Sequence, residues 1–331
     1  MLKTILDYNI FEKFTLNQPK PVPFGSEMEN KAWLTLWEYF KSGSDICITN
    51  YKNQNSIFLT NLTTGRKGTT CQFNENCIKQ HKFTFPKKQD VRSVFFIDVA
   101  NDSEKNKYQM NNGYVFGFKD DYMQIWKDLA LLEQPEVLPV RKNAKIKFHS
   151  WDQLSNYVLP FTDLIIVDNY MFDETIWEHN LIRIIEEFSY KTPIKFNLML
   201  LSFSHSDSLF KIKDIHIKIT KLLIDRKIQC DLSIALADQW IKEHDRGIFS
   251  NYLRVKSGDS FNFFDKNGKY ITKGTDIDFH TLSKSDKINA SDAALINIRD
   301  IIEKINNSLQ KEKRFIENSK NRLLTIYHKV L

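Results

Sequence analysis

Three apolar runs separated by helix-length amphipathic stretches dominate the second half of the chain and leave few ways to fold it. DLIIVD at residues 163–168 and IKFNLMLLSF at 194–203 are continuous apolar segments, the pattern of strands buried on both faces. Residues 228–236 supply a third. Between them, a helix from about Asp173 places Ile176, Ile184, Ile185 and Phe188 on one face, and residues 209–226 read as a longer helix. The order β-α-β-α-β predicts a largely parallel sheet covered by helices. The expected fold class is therefore α/β. Residues 246–256 and 260–264 read as further strands around a turn at Gly258. From Ser291 onward, Ile302, Ile305, Leu309, Ile316, Leu323, Ile326 and Val330 recur near heptad spacing, which predicts one long helix or two.

The first 155 residues are less regular and read as an α+β region of unknown type. Trp33, Leu36, Trp37 and Phe40 lie at helical spacing within residues 27–42. Residues 45–50 and 55–61 read as strands around a turn at 51–54, and RSVFFIDVA at 92–100 as a short buried strand with a neighbour at 113–118. A helix is expected over 120–134, and short strands at 138–141 and 145–149. The expected organisation is 1–155, 156–289 and a C-terminal helix over 290–331.

The chain has 331 residues, a net charge of +6 and 27% charged residues, with both signs interspersed over most of its length. Such a balance permits anionic partners without defining one. No apolar run approaches the roughly 20 residues that span a bilayer, so the protein is expected not to cross a membrane. Its N-terminus, MLKTILDYNIFEKF, lacks the h-region of a secretory leader. Cys47, Cys71, Cys77 and Cys230 match no zinc-knuckle spacing, and few scattered cysteines suit a reducing cytoplasm. No metal and no cofactor is expected. Abundant Lys, Ile and Asn with sparse Gly and Pro suggest an AT-rich bacterial gene.

The sharpest local signal is His244-Asp245-Arg246-Gly247-Ile248-Phe249-Ser250-Asn251 at the entry to an expected strand. Its spacing is that of His-x-Lys-x4-Asp, with Arg246 in the lysine position and Asn251 in the aspartate position. In such a motif a histidine attacks phosphorus, a cation neutralises the non-bridging oxygens, and a second histidine protonates the leaving group. Arginine keeps the charge but changes the geometry, and asparagine loses the carboxylate. The ordinary alternative is a strand-start hydrogen bond for His244 and a carboxylate partner for Arg246.

The series Ile166-Val167-Asp168-Asn169-Tyr170, the helix ending near Phe188, residues 243–251, Ser257-Gly258 and Phe261-Asn262-Phe263-Phe264 resembles the phospholipase-D-like C-terminal domain of the microtubule-interacting-and-trafficking (MIT) protein family. The resemblance covers roughly residues 160–282. The chain departs from it at Asn169, where the family has proline, and in lacking the family's N-terminal three-helix bundle. The resemblance implies a phospholipase-D-like α/β domain without a second catalytic motif, a tendency to dimerise, and recognition of acidic phospholipid headgroups. Asp168 would then sit structurally near His244. Bacterial proteins with such a domain associate with phage-defence loci.

Other features carry less. His216-Ile217-Lys218 repeats His-x-Lys inside an expected helix, where a solvated face is the ordinary reading. The loop Thr63–Thr70, with Arg66 and Lys67, has phosphate-cradle composition but not P-loop spacing. Asp98 ends a buried strand with Asp102 and Glu104 beyond it, as in a metal-dependent nuclease, yet the sequence discloses no second acidic strand end to join it. The basic residues of the tail, Lys311 to Lys329, alternate with acids as on a solvated face. The expected function is a non-catalytic adaptor or sensor, a subunit of a phage-defence system, that binds nucleic acid or a phosphorylated headgroup. His244, Arg246, Asn251, Asp168, Arg66 and Lys67 are its expected contacts. The alternatives are a phosphodiesterase or nuclease assembled by pairing two copies of His244, and a protein-interaction subunit acting through its C-terminal helix or as a homodimer.

Overall fold

The computed structural model describes residues 1–53, 56–75, 82–203 and 212–325. Cys77, Leu209, Gln54, Asn55, Ile326, Lys329 and Val330 lie outside the described residues. The chain divides into two compact units, Met1–Glu133 with Thr281–Ile288, and Gln134–His280 with Asn289–Leu331.

The first unit is built on β1 (Leu2–Asp7), β2 (Ser44–Thr49), β3 (Cys71–Phe73), β4 (Ser93–Phe96) and β5 (Val115–Gly117). Their order is β3-β2-β1-β4-β5, and every pairing is parallel. The expected α+β region is thus a parallel α/β sheet. Its central strand was missed because LKTIL is short and leads straight into a helix. Only Lys3 of β1 escapes full burial, as a strand covered on both faces requires. The helices are α1 (Tyr8–Leu16), α2 (Glu27–Glu38), α3 (Ile57–Thr63), α4 (Asp102–Asn111) and α5 (Tyr122–Leu129). Phe11 and Phe14 of α1 meet Trp33, Trp37 and Phe40 in one aromatic cluster, with Phe14 stacked 4.9 Å from Trp33. The segment expected as a second strand is α3 instead: the Ser56 hydroxyl accepts from Leu59 N, and Leu59 and Leu62 are buried three residues apart.

The second unit holds an eight-stranded mixed sheet. Its strands are β6 (Val137–Val140), β7 (Asp163–Val167), β8 (Phe196–Phe203), β9 (Cys230–Ala237), β10 (Gly247–Phe249), β11 (Leu253–Ser257), β12 (Thr275–Thr281) and β13 (Phe315–Ile316), ordered β13-β9-β8-β7-β10-β11-β12-β6. The expected β-α-β-α-β run is the parallel trio β7, β8 and β9, linked by α6 (Arg183–Ser189) and α7 (Ile212–Asp225). Because β6 pairs with β12, the second unit begins at Gln134 rather than after residue 155. Residues 145–149 form no strand, and residues 260–264 contribute only an isolated bridge from Phe264 to Tyr270.

The expected C-terminal helix holds only as far as Asn306. α8 (Ser285–Asn306) stops, a four-residue α9 (Lys311–Arg314) follows, and β13 joins the β9 edge antiparallel. The chain then turns beneath β7. Arg322 gives its backbone N–H to Asp163 Oδ1 (2.8 Å) and its Nε to Oδ2 (3.1 Å), while Asn321 donates to the Leu164 carbonyl. Asp163 is fully buried, so this pairing outweighs any coiled-coil seam the heptad spacing promised. Arg322→Ala should cost about 2–3 kcal/mol in urea unfolding, since it strips a buried carboxylate of its cation.

Candidate functional site

Parallel sheets carry their polar chemistry at the carboxyl ends of their strands, and the crevice opens where the strand order reverses. In the first unit that point lies between β1 and β4. Asp7 ends β1, Thr49 stands opposite it at the end of β2, and Asp98 follows β4. Asp7 is the second acidic strand end that the sequence did not disclose. The signal was present: apolar Leu2, Ile5 and Leu6 run straight into an aspartate.

Asp7 is fully buried and also caps α1, its Oδ1 accepting from Asn9 N (2.9 Å). Asn50, in the left-handed region at φ 59°, donates its amide to Asp7 Oδ2. Burial pushes the Asp7 carboxyl above its ordinary range; the Asn50 and Asn9 bonds oppose that, and the like charge of Asp98 adds to it. Asp98 accepts from Asn9 Nδ2 (3.3 Å) and lies 3.8 Å from Lys119 Nζ, just past β5. The buried Thr49 hydroxyl has no hydrogen-bond partner among the described residues, nor has Asn50 Oδ1. Two acids, an orphaned hydroxyl, two amides and a lysine thus converge on one strand-end crevice. Asp102 and Glu104 do not join them. Glu104 bonds the Ala100 N–H (2.9 Å), while Asn101 caps α4.

The other expected contacts of the first unit hold its loop shut. Arg66 donates to the carbonyls of Phe40, Ser44 (2.6 Å) and Thr70 (3.1 Å), so its guanidinium braces the turn instead of facing a ligand. Lys67 is exposed beside it.

In the second unit, His244 and Asn251 stand at opposite ends of the sheet. β10 runs antiparallel to β7, Gly247 facing Val167 and Phe249 facing Ile165, which carries Asn251 to the start of β7. There its Oδ1 accepts from Thr162 N (3.2 Å) and Asp163 N (3.3 Å), a structural clasp. Asp168 does come close to Arg246, whose charge favours the ionised form, although burial raises the Asp168 pKa overall. Its oxygens are taken by Tyr170 N (2.8 Å), Phe261 N (2.6 Å) and Ser260 Oγ (2.9 Å). His244 is exposed, with Nε2 3.2 Å from Asp245 Oδ1; buried Asp245 also accepts from Asn297 (3.0 Å). The His244 carbonyl is held by Arg254, a residue the sequence did not flag, which burial pulls down to about 10. Arg246 is half-buried, and its Nε has no partner among the described residues. His216 bonds Asn318 and approaches the Leu232 carbonyl, so the second His-x-Lys is structural.

No group of three or more metal-type side chains clusters among the described residues. No helix there is long and apolar enough to cross a membrane.

The Asp7 carboxyl gives a sign-specific prediction. Its folded pKa lies above its unfolded one, so wild-type stability is lost as pH rises from the unfolded value through the folded one. Asp7→Asn keeps an acceptor for Asn9 N and removes that penalty. Its thermal midpoint should exceed that of the wild type at pH 7, and the gain should shrink toward pH 4.

No protein-family model matches the chain, and no curated protein matches it in sequence.

Proposed function

We propose that the first unit binds and hydrolyses a phosphate monoester at the carboxyl ends of β1, β2 and β4, with a divalent cation held by Asp7 and Asp98. The observation that carries this reading is the buried Thr49 hydroxyl, level with Asp7 and without a hydrogen-bond partner among the described residues. An unsatisfied buried hydroxyl costs about 1–3 kcal/mol, which a fold tolerates where a ligand oxygen completes it. Magnesium-type ions use one or two carboxylates and take further oxygens from water and substrate phosphate. Such an ion would offset the repulsion between Asp7 and Asp98 and would polarise a phosphoryl oxygen toward attack by water, the phosphorus–oxygen ester bond breaking to release the alcohol. Lys119 adds positive charge at the rim, and the Thr49 hydroxyl donates to a phosphate oxygen. Phosphate release from p-nitrophenyl phosphate should therefore require Mg²⁺, stop with EDTA, and fall about 100-fold in Asp98→Asn. Thr49→Val should lose about tenfold through the missing donor. Hydrolysis untouched by both substitutions would sink the reading.

A second reading belongs to the second unit. The half-buried Arg246, whose Nε has no hydrogen-bond partner among the described residues, supports anion recognition there, in line with the phospholipase-D-like resemblance. Tyr170 and Trp240, both about half exposed and meeting edge to face at 5.2 Å, stand at the same strand ends and favour a nucleobase over a headgroup. Tyr170 links the two features, because its backbone N–H binds Asp168, the acid that feels the Arg246 charge. Salt-sensitive binding of a labelled single-stranded oligonucleotide should weaken at least tenfold in Arg246→Ala. Unchanged affinity would dismiss the site. Equal loss against anionic vesicles would point to headgroups instead.

A further inference from the structure

Two open clefts lie along α1, the nearer one lined in part by Asn9 and Lys119, which both touch Asp98. The nearer, of about 350 Å³, is lined by Asn9, Lys13, Asn17 and Lys119; the farther, of about 510 Å³, shares Lys13, Asn17 and Lys119 and continues past Trp33 to Tyr122. Asn9, Lys13 and Asn17 are spaced four residues apart, so they form one stripe along α1 and its cap. At 1.5 Å per residue, Lys13 lies one turn, about 6 Å, beyond Asn9, and Asn17 about 12 Å beyond it. Asn9 and Lys119 both touch Asp98, so the stripe begins at the proposed phosphate site.

The charges along this path are unequal. Asp120 and Asp121 are both held by Lys105, at 3.3 and 2.6 Å, and Lys127 is taken by Glu133 at 3.0 Å. Glu12 accepts the Tyr8 hydroxyl (3.3 Å). Lys13 spends one N–H on the Lys119 carbonyl (2.7 Å), and its charge favours the ionised form of Asp120 without an ion pair to it. An ammonium carries three donors, so Lys13 retains N–H groups that can face the cleft.

We propose that the substrate of the first unit is an organic phosphate with a second anionic group, bound by Lys13 about one helical turn from the reacting phosphate. This rests on the phosphate-monoester reading above and adds the substrate class to it. A hexose bisphosphate is a representative of that class. A cleft of this size suits such a ligand, whereas inorganic phosphate would leave it unfilled.

The test compares glucose 1,6-bisphosphate with glucose 6-phosphate by calorimetric titration of the full chain in Ca²⁺, which takes the same carboxylate oxygens without the magnesium needed for turnover, using wild type, Lys13→Ala, Lys13→Arg and Asp98→Asn. The wild type should bind the bisphosphate at least tenfold more tightly. Lys13→Ala should bring the two affinities together, and Lys13→Arg should keep them apart. Equal wild-type affinities, or equal losses for both ligands in Lys13→Ala, would overturn the proposal. Asp98→Asn separates the two claims: it should weaken both sugars. A Lys13-dependent preference that survives it at full strength would retain the cleft as an anion site while removing the strand-end carboxylates from the phosphate reading.

Discussion

The parallel pairing of β1 between β2 and β4 is the constraint on which the first unit depends. A strand covered on both faces cannot place a polar side chain along its length without a buried partner. Its carboxyl end is the one place where such a group meets other strand ends and the start of a helix. Asp7 occupies that place, bonded to the first turn of α1 and to Asn50, with Asp98 beyond the neighbouring strand. The register that aligns Asp7 with Thr49 fixes the spacing of these groups more firmly than any loop could.

That arrangement costs stability. A buried carboxylate near a second acid, opposite a hydroxyl with no partner among the described residues, is a poor way to stabilise a sheet end, and perturbed groups of this kind cluster at functional sites. The contrast with Asp163 in the second unit is instructive. Asp163 is equally buried, yet it is surrounded by donors from Thr162, Asn197 and Arg322. One acid is fully satisfied by the protein and holds the C-terminal segment in place; the other retains unmet partners around it.

Polar side chains of the second unit mostly serve the fold. Asn180 accepts from Trp151 and from the backbone of Phe263 and Phe264, and donates to the Phe264 carbonyl, tying an aromatic cluster to the turn before α6. Asn169 exchanges two bonds with Ile241 and so fixes the segment that leads to His244. Gly247 permits the next step, because a Cβ there would stand 2.8 Å from the Val255 carbonyl oxygen. Arg246 is thereby presented near Asp168 while its motif partner Asn251 is carried away.

Local pattern in the sequence was enough to determine the apolar strands β7, β8 and β9, their parallel pairing through helices, and Asp98 as a strand-end acid. These follow from short-range periodicity and from the backbone's need to pair its polar groups. Which strand ends meet was decided only in three dimensions. Asn9 and Asp98 are 89 residues apart, and Arg322 reaches Asp163 across 159. The heptad-like spacing of the tail implied one long helix or two, but beyond α8 and the short α9 the unpaired edge of β9 and the buried Asp163 offered stronger partners, and the chain left the helical pattern to satisfy them. His-x-Arg-x4-Asn was legible as a spacing, yet the strand between its members carries them to opposite ends of the sheet. Linear spacing measures distance along the chain; the crevice at Asp7 exists because non-adjacent strands share a register.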